Sequence, residues 1–256
     1  IDKDAQPGDS FAELYELNDY LLDIENKSLT HRPDTFGVIG FAREVAGIQG
    51  KAFKTPDWLG VLEADVANDG TAYVPSIHIE DPALSDRFQA VVLTGVDEKA
   101  QSPVQLQTYL ARSGVRPISA SVDVSNYLML LTGQPSHTYD YDKLKAVAGD
   151  DFSVRVRLAR KDETLVLLDG KEIALDEADV VIAAGQTAIG LAGIMGGAST
   201  MVDTSTTSVL LEVATFDLYR MRSSQMRHGI FSEAVTRFTK GIPALLGGPV
   251  VAQAVS

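Results

Sequence analysis

One histidine and one glutamate have the strongest claim to chemistry in this sequence. His137 lies in GQPSHTYD, two residues after Pro135 and three before Asp140, and Glu212 interrupts the apolar run VLLEVA. An imidazole can orient or deprotonate a water molecule, and a carboxylate among aliphatic side chains is costly unless a donor meets it. Each also has a plainer reading. A single histidine is more often a packed or surface group. Strand alternation sets Leu210, Glu212 and Ala214 on one face and Leu211 and Val213 on the other, and from sequence the exposed position is favoured for Glu212. A third feature is GLAGIMGG, where Gly196 and Gly197 form either a tight turn or a stretch of backbone bare enough for a ligand to approach its amides.

Other chemistries are poorly served. His31, His78, His137 and His228 show no paired helical spacing and no acid at a zinc-protease interval, and the chain has no cysteine. Neither a metal centre, nor a disulfide, nor another cofactor is expected. There is no G-x-S-x-G nucleophile elbow, and GIMGG is too short for a phosphate loop and lacks its lysine.

The elements that must position these residues follow from periodicity. HRPDTFGVIGFAREVAG reads as a helix, with Asp34 after Pro33 in the cap position, an apolar face of Phe36, Ile39, Phe41, Ala42, Val45 and Ala46, and an end at Gly47 or Gly50. From Trp58 onward the helical period is lost, EADVANDGTAYVP is turn-rich, and SIHIE reads as a short strand. FQAVVLTGV reads as a strand. A helix follows with Ser102 as cap, Pro103 in the first turn and Gly114 as stop, and VDVSNYLMLLTGQP reads as a second helix. FSVRVRLA alternates, TLVLL meets KEIAL through the hairpin dipeptide Asp169-Gly170, and DVVIAA, AIGLAGI and SVLLEVA add further strands before two closing helices. Clustered strands imply an α+β fold of mixed sheets with packed helices, plus a smaller N-terminal α/β segment. The expected division is residues 1–57, a linker at 58–85, and a main domain at 86–256.

With 256 residues, 45% of them hydrophobic, the chain can bury one large core or two modest ones. No apolar run approaches the roughly 20 residues that span a bilayer, so no membrane partner is expected. The absence of cysteine agrees with a reducing cytoplasm, the expected location. The chain begins at Ile1 and ends within a helical-looking PVVAQAVS, as a piece of a longer protein would. A net charge of −13 argues against general nucleic-acid binding. Phe216 to Lys240 nevertheless carries Arg220, Arg222, Arg227, Arg237 and Lys240 against Asp217 and Glu233, a balance of +3 that suits either a polyanion's tip or a solvated helix face.

RPISASVDVSNYLMLLTGQPSHTYDYDKL resembles the bacterial phenylalanyl-tRNA synthetase beta-subunit signature R-P-I-x-N-x-V-D-x-T-N-Y-V-M-x-E-x-G-Q-P-x-H-A-F-D. LDIENKSLTHRPDTFGVIGFAREVAGI, GLAGIMGG and RHGIFSEAVTRFTKGI match three further segments of that family in the same order. The resemblance implies that residues 86–256 form its editing module, which hydrolyses tyrosine wrongly esterified to the phenylalanine tRNA, and that residues 1–57 are part of a neighbouring domain. It implies His137 and Asn126 as catalytic groups, Glu212, Gly196, Gly197, Ser232 and Ala234 as the substrate pocket, and Arg116 at the tRNA end. It also implies two partners, the aminoacyl end of the tRNA and a synthetase alpha subunit. A non-catalytic module that docks the tRNA end or a subunit is the alternative. Several positions depart from the pattern, namely His31, Ser136, Thr138, Tyr139 and Ile242-Pro243. None is a matched pocket residue, so they are expected to touch local packing rather than activity.

Overall fold

The computed structural model describes residues 5–60, 70 and 74–256. Most of the turn-rich stretch at 63–75 lies outside the described residues. The strands are β1 (Ser76–Ile79), β2 (Phe88–Thr94), β3 (His137–Asp140), β4 (Ser153–Leu158), β5 (Thr164–Val166), β6 (Glu172–Ala174), β7 (Val180–Ala184), β8 (Thr187–Leu191), β9 (Met195–Gly196) and β10 (Ser208–Ala214). The α-helices are α1 (Phe11–Leu14), α2 (Val38–Ile48), α3 (Val104–Arg112), α4 (Ala120–Thr132), α5 (Tyr141–Ala148), α6 (Leu218–His228), α7 (Glu233–Phe238) and α8 (Gly247–Val255). The architecture is α+β, as the clustering of strand patterns indicated.

Two sheets carry the fold. The larger has the order β1-β4-β7-β8-β9, with β1 parallel to β4 and the other pairs antiparallel. The smaller is an antiparallel sheet in the order β2-β10-β3. β1, which falls between 58 and 85, is thus hydrogen-bonded into the larger sheet. The Asp169-Gly170 hairpin forms as its sequence demands, with Gly170 at φ +83° between β5 and β6.

β10 is the middle strand of the smaller sheet and is covered on both faces, which explains its apolar sequence. Its Leu210 and Ala214 join the main core with Val154, Ile182, Ile189 and Phe216. Leu211 and Val213 face the other way, packing with Val91, Leu128 of α4, and Val250 and Val251 of α8. Each fully buried aliphatic side chain of this kind contributes about 1.5–3 kcal/mol relative to exposure.

Two expected caps are differently employed. Asp34 accepts from Arg32 Nε at 2.9 Å and Arg32 Nη2 at 2.8 Å, while α2 begins only after Gly37, preceded by a short 3₁₀ turn. The ion pair with the adjacent arginine, and a second from Arg32 to Glu44, hold the carboxylate away from the helix amides. Ser102 is buried and donates to Asp123 Oδ2 at 2.7 Å, so Pro103 takes the cap position of α3. A third helix, α8, closes the chain beyond the two expected.

The N-terminal segment packs directly on the rest. A Cβ on Gly37 would lie 2.3 Å from the backbone of Thr132, so only glycine permits this approach to the end of α4. Arg237 Nε donates to Phe36 O at 3.1 Å across the same junction.

Candidate active site on the face of the smaller sheet

β3 and β10 bring the two singled-out residues together. In their antiparallel register Glu212 is the direct partner of His137, and Leu210 is the partner of Tyr139. Directly opposed residues point to the same side of a sheet with Cβ atoms roughly 4.5–5.5 Å apart. His137, Tyr139 and Glu212 therefore share one face, the face turned toward the main core.

Glu212 is 6% exposed, so the exposed position favoured from alternation is wrong. Alternation assigns a residue to a face, and here both faces of the strand are covered. The carboxylate survives burial because Tyr139 Oη donates to its Oε2 at 2.5 Å. Burial pushes the Glu212 carboxyl up to about 7, and the tyrosine hydrogen bond opposes that rise. Burial, reinforced by the adjacent carboxylate, pushes the Tyr139 phenol well above its ordinary value, so it remains a donor.

His137 packs edge-on against Tyr139, with ring centroids 4.5 Å apart and an interplanar angle of 76°. Burial pushes its imidazole down to about 4, leaving the ring neutral at physiological pH. Beyond the ring lies the glycine pair of β9 and its loop. A Cβ on Gly196 would lie 2.6 Å from both Cε1 and Nε2 of His137. Position 196 is bare because the imidazole occupies the space. Position 197 is bare for another reason, since a Cβ there would lie 2.5 Å from Ile189 O. The Gly197 amide donates to that same carbonyl at 2.7 Å, and Leu168 N donates to Gly196 O at 3.0 Å, tying the β5–β6 hairpin to the glycines.

Of the remaining sequence-derived residues, Ser232 and Ala234 pack beside the glycine loop and the main core, whereas Asn126 and Arg116 make no hydrogen bond or ion pair with His137, Tyr139 or Glu212. Ser232 caps α7 by accepting from Val235 N at 3.1 Å and donates to Ile194 O at 2.8 Å, which anchors α7 beside the glycine loop. Ala234 is partly buried and packs against the main core. Asn126 is partly buried on α4, and its side chain makes no hydrogen bond to a described residue. Arg116 is exposed in the loop between α3 and α4 and forms no ion pair among the described residues. In the basic stretch, Arg227 pairs with Asp179, Arg237 pairs with Glu233 at 2.7 Å, and the Lys240 ammonium lies 5.2 Å from the centre of the Phe36 ring. Those three are committed internally.

Tyr139 is the residue that sequence reasoning missed. Its signal was its place two residues after His137, which puts both rings on one strand face. A cleft of about 280 Å³ lies elsewhere, lined by Pro33, Arg43, Gly133, Pro243 and Leu246. Another of about 200 Å³ backs onto the opposite face of the smaller sheet beside Thr138 and Leu211. Among the described residues no group of three or more His, Cys, Asp or Glu could hold a metal, and no helix is long and apolar enough to cross a membrane.

Comparison with known proteins adds a family. The B3/4 domain model matches residues 84–256, the stretch that contains both sheet strands carrying His137 and Glu212. Over 250 residues the chain is 38% identical to the phenylalanine–tRNA ligase beta subunit of Lactobacillus acidophilus, a match covering 94% of this chain and 28% of that protein. It is 38% identical over 241 residues to the same subunit of Streptomyces avermitilis, covering 93% and 27% respectively. The chain thus spans only about 28% of the length of the first of these relatives. A crystal structure of an N-terminal fragment of the phenylalanyl-tRNA synthetase beta subunit from Pyrococcus horikoshii gives a TM-score of 0.41 at 16% identity, covering 83% of this chain and 59% of that one.

Proposed function

This chain belongs to the B3/4 domain family, and from that premise we propose that it is the proofreading module of a phenylalanine–tRNA ligase beta subunit, hydrolysing the ester of tyrosine wrongly attached to the phenylalanine tRNA. The observation that carries the proposal is the register pairing of His137 with Glu212 on one core-facing strand surface. It gives an aromatic ester two contacts at once, the ring's far end at the carboxyl and the carbonyl beside the imidazole.

A largely apolar synthetic pocket rejects an analogue that only adds a hydroxyl by about 10². A second site that recognises the hydroxyl raises the total. A tyrosyl phenol pairs with the buried Glu212 carboxyl, whereas a phenylalanyl ring leaves acceptor capacity unmet, at a cost of about 1–3 kcal/mol. With its titration near 7, Glu212 meets the phenol as carboxylate or as carboxylic acid.

Hydrolysis of an activated ester requires a placed water more than a covalent intermediate. His137, neutral because its imidazole is held down to about 4, accepts a hydrogen bond from that water and aims it at the carbonyl. Asn126 offers an uncommitted amide to the same water. Gly196 fixes the imidazole's position, Gly197 and Ser232 hold the surrounding loop and helix, and Ala234 forms a wall. Arg116, exposed and unpaired among the described residues, meets a phosphate or ribose of the tRNA end. The partners of this function are the aminoacyl end of the tRNA and the ligase's alpha subunit.

The test is deacylation of purified tyrosyl-tRNA and phenylalanyl-tRNA by the complete protein with its partner subunit. Faster loss of tyrosine than of phenylalanine is expected, and a protein that leaves tyrosyl-tRNA intact is a docking module instead.

A further inference from the structure

Glu212 has a resident phenol of its own. Tyr139 Oη donates to Glu212 Oε2 at 2.5 Å, and the tyrosine is 2% exposed with its ring fixed edge-on against His137. The other oxygen, Oε1, accepts no hydrogen bond from a described residue. This arrangement alters the energetics of substrate choice. Discrimination against a phenylalanyl ester depends on leaving a buried acceptor unmet, and the size of that penalty depends on how unmet the acceptor is. A carboxyl that already holds one strong internal donor is partly satisfied whichever substrate is present. It also offers less charge to a second donor, because the first has drawn electron density toward Oε2.

Taking the proofreading function above as its basis, we propose that Tyr139 is an internal stand-in for the substrate's phenol, which occupies one acceptor of Glu212 and narrows the site's preference for tyrosyl over phenylalanyl esters. Tyr139 is then a specificity-setting residue that acts through Glu212. It makes no contact with the scissile bond. The same hydrogen bond keeps the empty site from exposing an unpaired buried carboxyl, so stability and selectivity are set against each other at one contact. Burial raises the Glu212 carboxyl, and the tyrosine hydrogen bond opposes that rise by favouring the ionised form.

The experiment compares the complete protein, with its partner subunit, as wild type, Tyr139→Phe, Glu212→Ala and the double variant. Phenylalanine keeps the ring against His137 and removes only the hydroxyl. Hydrolysis of tyrosyl-tRNA and phenylalanyl-tRNA is timed for each. Tyr139→Phe is expected to raise the tyrosyl-to-phenylalanyl rate ratio about tenfold, the size of one buried hydrogen bond. In the Glu212→Ala background the same substitution should leave the ratio unchanged. A ratio that stays constant or falls in Tyr139→Phe alone overturns the proposal and leaves Tyr139 as packing.

Loss of the underlying function is separable. If wild type hydrolyses neither ester, the proofreading activity fails, and selectivity is read instead from binding of non-hydrolysable tyrosyl and phenylalanyl amides of 3′-amino-adenosine. A rise in the tyrosyl binding preference of Tyr139→Phe then supports the stand-in. An unchanged preference, or no binding of either amide, overturns it. Carbon-13 titration of the Glu212 side chain gives a readout that packing alone would not move: its midpoint should rise in Tyr139→Phe, and an unmoved midpoint overturns the proposal too.

Discussion

The imidazole of His137 stands where a side chain on residue 196 would be, its Cε1 and Nε2 atoms each 2.6 Å from a Cβ built on Gly196. Gly196→Ala must therefore move the ring. A ring can swing where a backbone cannot, so the loss of stability should lie at the lower end of about 1–3 kcal/mol. Tyrosyl ester hydrolysis should fall at least tenfold because the displaced imidazole no longer aims the water. Gly197→Ala meets a backbone carbonyl instead and should cost about 1–3 kcal/mol in folding stability. Thermal melts and deacylation rates of the two variants, side by side, check this contrast.

His137→Ala should slow tyrosyl-tRNA deacylation by about 10²-fold with little change in substrate preference, as expected for a group that places the water. The pH profile separates the two candidate residues. With His137 titrating at about 4 and Glu212 at about 7, a rate limb near neutrality belongs to the carboxyl. Glu212→Gln should abolish that limb and His137→Ala should retain it, as rate measurements from pH 5 to 9 would show.

The same two groups make stability depend on pH in opposite senses. Glu212 rises from 4.5 unfolded to about 7 folded, so its contribution is full below 4.5 and is lost as pH rises through 7. That shift corresponds to about 3 kcal/mol at its upper bound. His137 falls from 6.5 to about 4, so its contribution is full above 6.5 and is lost as pH falls through 4. Glu212→Gln should therefore gain stability relative to wild type at pH 8 and gain little at pH 5. Denaturant unfolding at the two pH values measures the difference.

Asp179 is a purely structural hub, 0% exposed, that accepts from Ser224 Oγ at 2.6 Å and Asp176 N at 2.8 Å and is bonded to Arg227 and to His228 Nε2. Asp179→Ala strands buried partners on α6 and should cost about 3–5 kcal/mol. A large fall in melting temperature, with an unchanged tyrosyl-to-phenylalanyl ratio in the protein that remains folded, is the expected result.

Local rules carried much of the fold. The Asp169-Gly170 hairpin, the alternation of Ser153–Leu158 and the helix around Asn126 were legible because turn chemistry and periodicity act within a few residues. Glu212 was misread because alternation cannot distinguish a strand with one covered face from a strand with two; the face that bears Glu212 is covered by the main core, whose Val154, Ile182 and Ile189 come from strands of the other sheet, distant in sequence. Ser102 had the right type for a cap, yet Asp123 offered its hydroxyl a buried acceptor. Tyr139 looked like a matter of packing, whereas its hydroxyl meets Glu212, a residue 73 positions later.

β10 lies between β2 and β3 yet follows both in the sequence, so the strand bearing the carboxyl is the last of its sheet to leave the ribosome. Until it slots in, β2 and β3 have no mutual pairing and the histidine has no neighbour across the ladder. Non-local pairing of this kind forms late and cooperatively. A nascent or truncated chain ending before residue 208 would thus carry His137 without the Glu212 it pairs with, so the proposed proofreading site is complete only once this strand is in place.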